Sequence, residues 1–288
     1  APEEIAEQRE NASMAASSTG LHYGNDGIAE RLLTALRTAH GKDAPITPET
    51  LAPLDHFHGR GVAATEELVA LLKPQAGERI LDIGSGIGGP ARWIAAKFGC
   101  HVTGVDLTPE FCATADALNE ATGMADRVTI MQGSAIDLPL PDASFDRAYS
   151  QNVVMNIADK PRFCREAFRV LRTGGVLALS NLCAGPAGEP YFPVPWSSTP
   201  ATSFLATPEQ TRADLLQAGF EIVEFRDTTD ESLPAIIRTR ERIESGGLPP
   251  LGVHLIMGAR FREMQINSSR TVEDGRGRLV EALVKKPG

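Results

Sequence analysis

The sequence contains few cysteines and lacks both paired-cysteine spacing and long apolar runs. Its four cysteines are scattered without a C-x-x-C pair, which disfavours a disulfide framework and favours reduced thiols in a cytoplasmic protein. No run approaches the roughly 20 apolar residues of a membrane-spanning helix. The N-terminal stretch APEEIAEQRENASMAASS lacks the basic and apolar regions of a secretory signal. We therefore expect a cytoplasmic location.

Positive charge is also scarce. The 28 lysines and arginines are outnumbered by 37 acidic residues, which gives a net charge of −9. Because phosphate backbones and anionic lipids attract clustered basic residues, we expect neither nucleic acid nor a membrane as a partner. The apolar content of 42% suffices for a sizeable core. The sequence does not fix the oligomeric state, so a homodimer is possible.

Short apolar runs alternate with helical patterns through the middle of the chain. This rhythm predicts an α/β fold, a doubly wound and mostly parallel sheet with helices on both faces. We divide the chain into an N-terminal helical cap (1–58), a cofactor-binding core (59–228), a helical lid or substrate insertion (229–276) and a final core strand (277–288). Within the cap, we expect KDAPITPETLAPLDHFHG to be a proline-punctuated connector.

A glycine-rich turn follows the first predicted strand in ILDIGSGIGGPARW, residues 80–93. One interpretation is a dinucleotide fingerprint that begins at Gly84, and it predicts NAD and hydride transfer. The other begins at Asp82 and predicts S-adenosylmethionine and methyl transfer. Both expect a carboxylate after the next strand, where Asp106 stands. Asp82 favours methyl transfer, because a carboxylate repels a pyrophosphate and attracts an ammonium group.

Four segments in order extend this pattern: ILDIGSGIGG, VTGVDLTPE, GSAIDLPLPDASFD and VLRTGGVLALSN. Together they resemble the class I S-adenosylmethionine-dependent methyltransferases over roughly residues 60–230. DHFHGRG, SQNVVMNI and FPVPW resemble a bacterial small-molecule branch, similar to sarcosine/dimethylglycine and ubiquinone/menaquinone methyltransferases. The resemblance implies a seven-stranded Rossmann-like methyltransferase fold with N-terminal helices and a helical insertion before the last strand.

The resemblance also implies which residues bind the methyl donor. The first motif would wrap its methionine part, Asp106 its ribose and Leu107 its adenine face. Ser134 stands where many relatives carry an aspartate, and a hydroxyl accepts the adenine amino group more weakly than a carboxylate does. The expected cofactor-binding residues are Asp82, Gly84, Ser85, Gly86, Gly88, Asp106, Leu107, Gly133, Ser134, Ala135 and Gln151.

Candidate acceptor and catalytic residues lie outside the glycine-rich motif. His58, and secondarily His56, can serve as a base or simply anchor the connector. Asn152 cannot act as a base at neutral pH, so it is expected to orient the acceptor. The predicted substrate-binding residues are Asn152, Met155, Asn156, Tyr191, Trp196 and His254. An aromatic pocket that includes Trp196 favours amines, but a phenol or quinol oxygen, a thiol and a carbon acceptor stay open.

Three alternatives remain at this point. Asp55, His56, His58 and His254 could in principle bind a metal, but they lack helical His-x-x-x-His or paired-cysteine spacing, so no metal is expected. An NAD-dependent oxidoreductase is disfavoured by Asp82. A catalytically inactive, cofactor-binding regulatory protein is disfavoured by the intact motifs.

Overall fold

The computed structural model describes residues 27–58 and 60–288. The first 26 residues of the predicted N-terminal cap lie outside this part of the chain. Among the helices that the structure does describe, none combines the length and apolar character needed to cross a bilayer.

Seven strands form a single sheet in the order β3-β2-β1-β4-β5-β7-β6. Neighbouring strands are parallel from β3 through β5, whereas β7 runs antiparallel to β5 and β6. The strands are β1 (Arg79–Ile83), β2 (His101–Asp106), β3 (Val128–Gln132), β4 (Phe145–Gln151), β5 (Leu171–Ala184), β6 (Glu221–Asp227) and β7 (Gly277–Lys285). This confirms the predicted seven-stranded, mostly parallel sheet.

Helices cover both faces of the sheet, as predicted. Successive side chains of a strand point to opposite faces. Leu81 of β1 accordingly packs in one core cluster with Phe163, and Ile80 packs in another with Leu68 and Ile94. The described helices are α1 (Ile28–His40), α2 (Pro48–Asp55), α3 (Val62–Leu72), α4 (Gly89–Phe98), α5 (Pro109–Ala121), α6 (Lys160–Val170), α7 (Pro208–Gln217), α8 (Thr229–Glu244), α9 (His254–Met257) and α10 (Phe261–Glu273).

The prediction of a connector without secondary structure is wrong for residues 48–55, which form α2. Pro48 occupies the first turn, where its fixed φ and missing N–H carry little penalty. Thr47 and Thr50 exchange hydrogen bonds between their side chains and backbone amides, which makes a capping box. The prolines therefore start a helix here instead of preventing one.

A glycine and a buried ion pair fix α2 against α4. A Cβ on Gly89 would lie 2.3 Å from the carbonyl oxygen of Asp55, so only glycine allows this close approach. Arg92 is fully buried, and its Nη2 donates to Asp55 Oδ2 at 3.0 Å and to the carbonyl of Ile87 at 2.7 Å. The N-terminal helices are thus held next to the glycine-rich turn.

The chain between β6 and β7 is helical, as predicted. It consists of α8, the short α9 and α10, and α8 packs along α10. Arg240 of α8 pairs with Glu273 of α10 at 2.7 Å. This insertion lies over the carboxyl ends of the central strands.

Candidate active site

A cavity of about 810 Å3 opens at the carboxyl ends of the central strands. This is where open α/β sheets bind their ligands. It brings together thirteen of the residues predicted from the sequence. They are His58, Gly84, Gly86, Asp106, Leu107, Gly133, Ser134, Ala135, Gln151, Asn152, Met155, Asn156 and Trp196.

The glycine-rich turn forms one wall of the cavity. Gly84 adopts a φ of +83°, and a Cβ there would lie 2.4 Å from Val153 Cγ2. Glycine is therefore required both by the backbone conformation and by the approach of the segment after β4. Ser85 and Gly88 complete the turn: the amide of Ser85 donates to the carbonyl of Val105, and the amide of Gly88 donates to the carbonyl of Ser85. The Ser85 side chain itself is buried against Gly104.

Asp106 lies in the cavity wall at the end of β2. Its Oδ2 accepts the amide of Gly86 at 2.8 Å, and its Oδ1 accepts the amide of Thr108 at 2.9 Å. Burial raises the pKa of Asp106, while these backbone N–H groups act in the opposite direction. The carboxylate is held in one orientation with lone pairs left for a ligand hydroxyl.

Asp82 lies behind this wall. It is 3% exposed, and its Oδ2 accepts a hydrogen bond of 2.7 Å from the Tyr149 hydroxyl. Burial raises the pKa of Asp82 to about 7; the Tyr149 hydrogen bond lowers it, and the nearby Asp106 raises it. Asp82 is therefore not among the residues that line the cavity, and its carboxylate is bonded to the Tyr149 hydroxyl behind the glycine-rich turn.

The two connector histidines have different surroundings. His56 is buried, and its Nδ1 lies 2.9 Å from Asp55 Oδ1, within the ion pair that docks α2. His58 lines the cavity, and its Nε2 lies 3.3 Å from Thr65 Oγ1. Thr65 in turn donates to Gln151 Oε1 at 3.4 Å. His58 is therefore linked to the end of β4, whereas the position of His56 argues against a role as a base.

The segment after β4 forms another part of the cavity wall. Asn152 has a φ of +56°, and its amide donates to the carbonyl of Ser180 at 2.8 Å. Beyond it lies Met155, and Trp196 also faces this side with its Nε1 donating to Ser203 Oγ at 3.0 Å. Met155 and Trp196 pack in one cluster and thus share one end of the cavity, which Asn152 and Asn156 also line.

Two predicted substrate residues occupy other surroundings. The Tyr191 hydroxyl donates to Asp274 Oδ2 at 2.8 Å, and Arg276 stacks over the ring at 4.3 Å. The ring of His254 packs at 5.8 Å from that of Phe261, and burial lowers the pKa of this histidine. Both side chains fasten parts of the C-terminal insertion.

Residues 81–179 match the family model described as a methyltransferase domain. The chain is also 32% identical over 204 residues to a 27-O-demethylrifamycin SV methyltransferase of Amycolatopsis mediterranei, covering 68% of this chain and 73% of that protein. The chain belongs to the S-adenosylmethionine-dependent methyltransferase family. The resemblance in the four sequence motifs is thereby confirmed.

Other relatives of this methyltransferase are larger or more distant. A phosphoethanolamine N-methyltransferase 1 of Arabidopsis thaliana is 31% identical over 194 residues, which cover 64% of this chain and 37% of that protein. The chain thus spans well under half the length of this relative. A crystal structure of geranyl diphosphate C-methyltransferase from Streptomyces coelicolor has a TM-score of 0.67 at 17% identity, with 96% of this chain and 98% of that chain covered. This likeness confirms the fold.

Sequence reasoning missed part of the methyltransferase cavity. Ser180 and Leu182 of β5 and Glu281 of β7 line it, as do several residues of α8 and α10. The two polar residues of Ser180–Asn181 inside the apolar run LALSNLCA were a signal for Ser180. The acidic residue inside the apolar run RLVEALV was a signal for Glu281, because a buried charge requires a reason. Among the residues that the structure describes, no cluster of three or more potential metal ligands was found.

Proposed function

We propose that this chain transfers a methyl group from S-adenosylmethionine to a small-molecule acceptor. The observation that supports this most is the continuity of the cavity, which joins the family's cofactor motifs to a second end formed by Met155, Trp196 and the C-terminal insertion. Its volume of about 810 Å3 falls within the range of about 300–1,000 Å3 typical of ligand sites. One such space can bring donor and acceptor together.

The cofactor end has side chains that fit the donor. Gln151 Nε2 is buried and has no hydrogen-bond partner within the described residues, so it offers an N–H to the donor's carboxylate. Asp106 offers acceptor oxygens to ribose hydroxyls, and Ser134 and Ala135 line the part assigned to adenine. We assign the cofactor site to these residues and to Gly84, Gly86, Leu107 and Gly133.

S-adenosylmethionine supplies a methyl group on a positively charged sulfur, which is a good leaving group. The protein then has to hold the acceptor's lone pair in line with the carbon–sulfur bond and exclude water. Such positioning can contribute up to about 7–11 kcal/mol. Asn152 and Asn156 are proposed to orient the acceptor, and the indole of Trp196 favours an amine through its π face.

His58 is the proposed base or positioning residue of this site. Its contact with Thr65 joins it to Gln151, which supports an orienting role at the cofactor end. A base would be required only for an acceptor that arrives protonated, and it would add about 10²–10⁴-fold in rate. A kcat that rises with pH in the parent and becomes flat in His58→Gln would identify the base; a change confined to KM would identify the positioning role.

Transfer of a labelled methyl group to a pool of small amines, phenols and thiols tests the function directly. We expect a labelled product with the parent protein. Trp196→Ala should raise KM for the acceptor and leave cofactor binding unchanged. Folded protein that binds the cofactor and labels no acceptor class would support a regulatory, non-catalytic binder instead.

Location, assembly and domain roles remain predictions. The four cysteines are free and buried, which is compatible with the proposed cytoplasmic location. A lack of nucleic-acid and membrane partners is proposed from the negative net charge, and a homodimer stays open. The N-terminal cap (1–58) and the lid (229–276) are proposed to enclose donor and acceptor.

A further inference from the structure

Four polar side chains lie in one row across the sheet beneath the cavity. Gln151 of β4 is paired in register with Ser180 of β5, which is paired with Glu281 of β7, which is paired with Arg226 of β6. Side chains of directly opposed residues lie on the same face. The row therefore runs from the cofactor end at Gln151 towards the acceptor end at Glu281.

Glu281 is the buried charge of this row. It is 4% exposed and lines the cavity. Its Oε2 accepts a hydrogen bond of 2.8 Å from Arg226 Nη2, whose side chain is 45% exposed at the edge of the sheet. The pair uses one carboxylate oxygen, so Oε1 keeps its capacity to accept a hydrogen bond.

The surroundings of Glu281 in the acceptor end are apolar or uncharged. Met155, Leu182 and Val272 form a buried cluster, against which Trp196 packs. Gln265 and Ser269 of α10 add neutral polar groups. A ligand in this end would therefore need an apolar body together with a group that donates to a carboxylate.

Positive charge is scarce in the same cavity. Among its described lining residues, Arg60 is the one lysine or arginine, whereas Asp106, Asp159 and Glu281 are acidic. Arg60 is paired with Glu67, with 2.7 Å between Nη1 and Oε1. A phosphorylated acceptor would meet net negative charge here, and phosphate sites normally use unpaired arginine or lysine.

We infer that Glu281 is a specificity-determining residue that selects acceptors carrying a protonated amine on an apolar body and rejects phosphorylated ones. The amine nitrogen then gives its proton to a base, for which His58 is the proposed residue, before its lone pair accepts the methyl group. This inference rests on the proposed function and narrows its substrate class. Two relatives are named for phosphorylated compounds: one is a phosphoethanolamine methyltransferase and the other a geranyl diphosphate methyltransferase. The acidic residues that line this cavity would repel phosphorylated acceptors of that kind.

Calorimetry with three compounds that share the same phenylethyl group and differ only in their polar group tests the inference. They are 2-phenylethylamine, 2-phenylethanol and 2-phenylethyl phosphate, each titrated into the full chain saturated with S-adenosylhomocysteine. We expect the amine to bind at least about tenfold more tightly than the phosphate, since a hydrogen bond to a charged group is worth that much. The alcohol should fall between them.

Variants of the same ion-pair network assign the preference to Glu281. Glu281→Gln should weaken amine binding about tenfold and leave the alcohol within about twofold. Arg226→Gln should act in the opposite direction and strengthen amine binding, because the carboxylate loses its counter-charge. Glu224→Gln is the matched control: it removes another carboxylate paired with Arg226, at 3.0 Å, on a side chain that is 42% exposed. It should change none of the three affinities.

The outcomes separate this inference from the proposed function. Preference for the phosphate, equal or undetectable binding of all three probes, or amine affinity that is the same in Glu281→Gln and the parent would overturn the role of Glu281. Each of these leaves methyl transfer intact as long as S-adenosylhomocysteine binds. If Glu281→Gln does not fold, Arg226→Gln decides alone, and unchanged or weaker amine binding in it contradicts the inference.

Discussion

Asp82 is the residue at which charge and burial conflict most directly. Its carboxylate is out of contact with water, and its hydrogen bond to Tyr149 only partly offsets the cost of burial. The folded protein therefore holds a proton on Asp82 up to a pH of about 7, whereas the ordinary value is 3.8. A cation bound nearby would favour the ionised form, so cofactor binding should release a proton.

This shift predicts how stability changes with pH. Between pH 3.8 and about 7, folded Asp82 keeps a proton that the unfolded chain has lost. The free energy of unfolding that this group contributes should therefore fall as pH rises, by about 1.4 kcal/mol per pH unit at most. Urea unfolding of the parent and of Asp82→Asn at pH 5, 6, 7 and 8 measures it: the parent should lose stability relative to the variant up to pH 7 and then level off.

Tyr149→Phe provides the control for that experiment. Without the Tyr149 hydroxyl, the Asp82 carboxylate is harder to ionise. The decrease in the free energy of unfolding with pH should therefore continue above pH 7. A parent-to-variant difference that is constant across the range would mean that Asp82 is already ionised at pH 5.

Single residues were predictable from the sequence where their role is local. Gly84, Gly86 and Asp106 were identified because the glycine-rich turn directly follows β1 and Asp106 ends the neighbouring strand β2. The hydrogen-bond partner of Asp82 was not predicted, because Tyr149 is 67 positions away and lies beside Asp82 only after β1 and β4 pair in the sheet. Glu281 was missed for the same reason, since β7 enters the sheet between β5 and β6 and only that topology brings it to the cavity.

At the scale of elements, the buried pair of Asp55 and Arg92 attaches the N-terminal helices to the core. Arg92→Ala leaves a buried carboxylate without its main counter-charge, so we predict a loss of about 3–5 kcal/mol in the free energy of unfolding. Denaturant unfolding measures this. Lys97 and Glu66 form an exposed control pair at 3.3 Å, for which Glu66→Gln should cost about 1 kcal/mol or less. Equal losses in both variants would show that the buried pair has no special role in docking α2.

A substitution in helix α8 should affect methyl transfer without affecting cofactor binding. Thr239 faces the cavity from this helix, whereas its neighbour Arg238 is exposed. Thr239→Phe should fill acceptor space and lower methyl transfer about tenfold or more, while the Kd for S-adenosylhomocysteine changes less than about twofold. Arg238→Phe should leave both unchanged. A weakened Kd in Thr239→Phe alone would place the cofactor, not the acceptor, under α8.

Most elements followed from the sequence because glycines, prolines and apolar runs mark their ends. The exception, α2, shows the limit of that reasoning. Its prolines suggest a connector, and the capping threonines that start the helix are informative only once Pro48 is recognised as a first-turn residue. The C-terminal insertion was predicted as helical, but its contacts with the sheet depend on the distant strand β7.

At the scale of the whole molecule, burial protects every cysteine. Burial raises the pKa of Cys100 to about 11 and those of Cys112 and Cys164 to about 12, and it also raises that of Cys183. Because thiolates are the reactive form, native protein at pH 8 should react with dithiodipyridine on the order of a hundredfold more slowly than protein in urea. In urea, four thiols should react. Fast reaction of one thiol in the native protein would contradict its burial.

The fold, the cavity and the family all indicate S-adenosylmethionine as the ligand, and calorimetry with S-adenosylhomocysteine and with NAD tests this claim most directly. S-adenosylhomocysteine titrated into the full chain should bind with a stoichiometry near one, and NAD should give no heat of binding. Binding of NAD without binding of S-adenosylhomocysteine would contradict the account and make the chain a dinucleotide-binding protein.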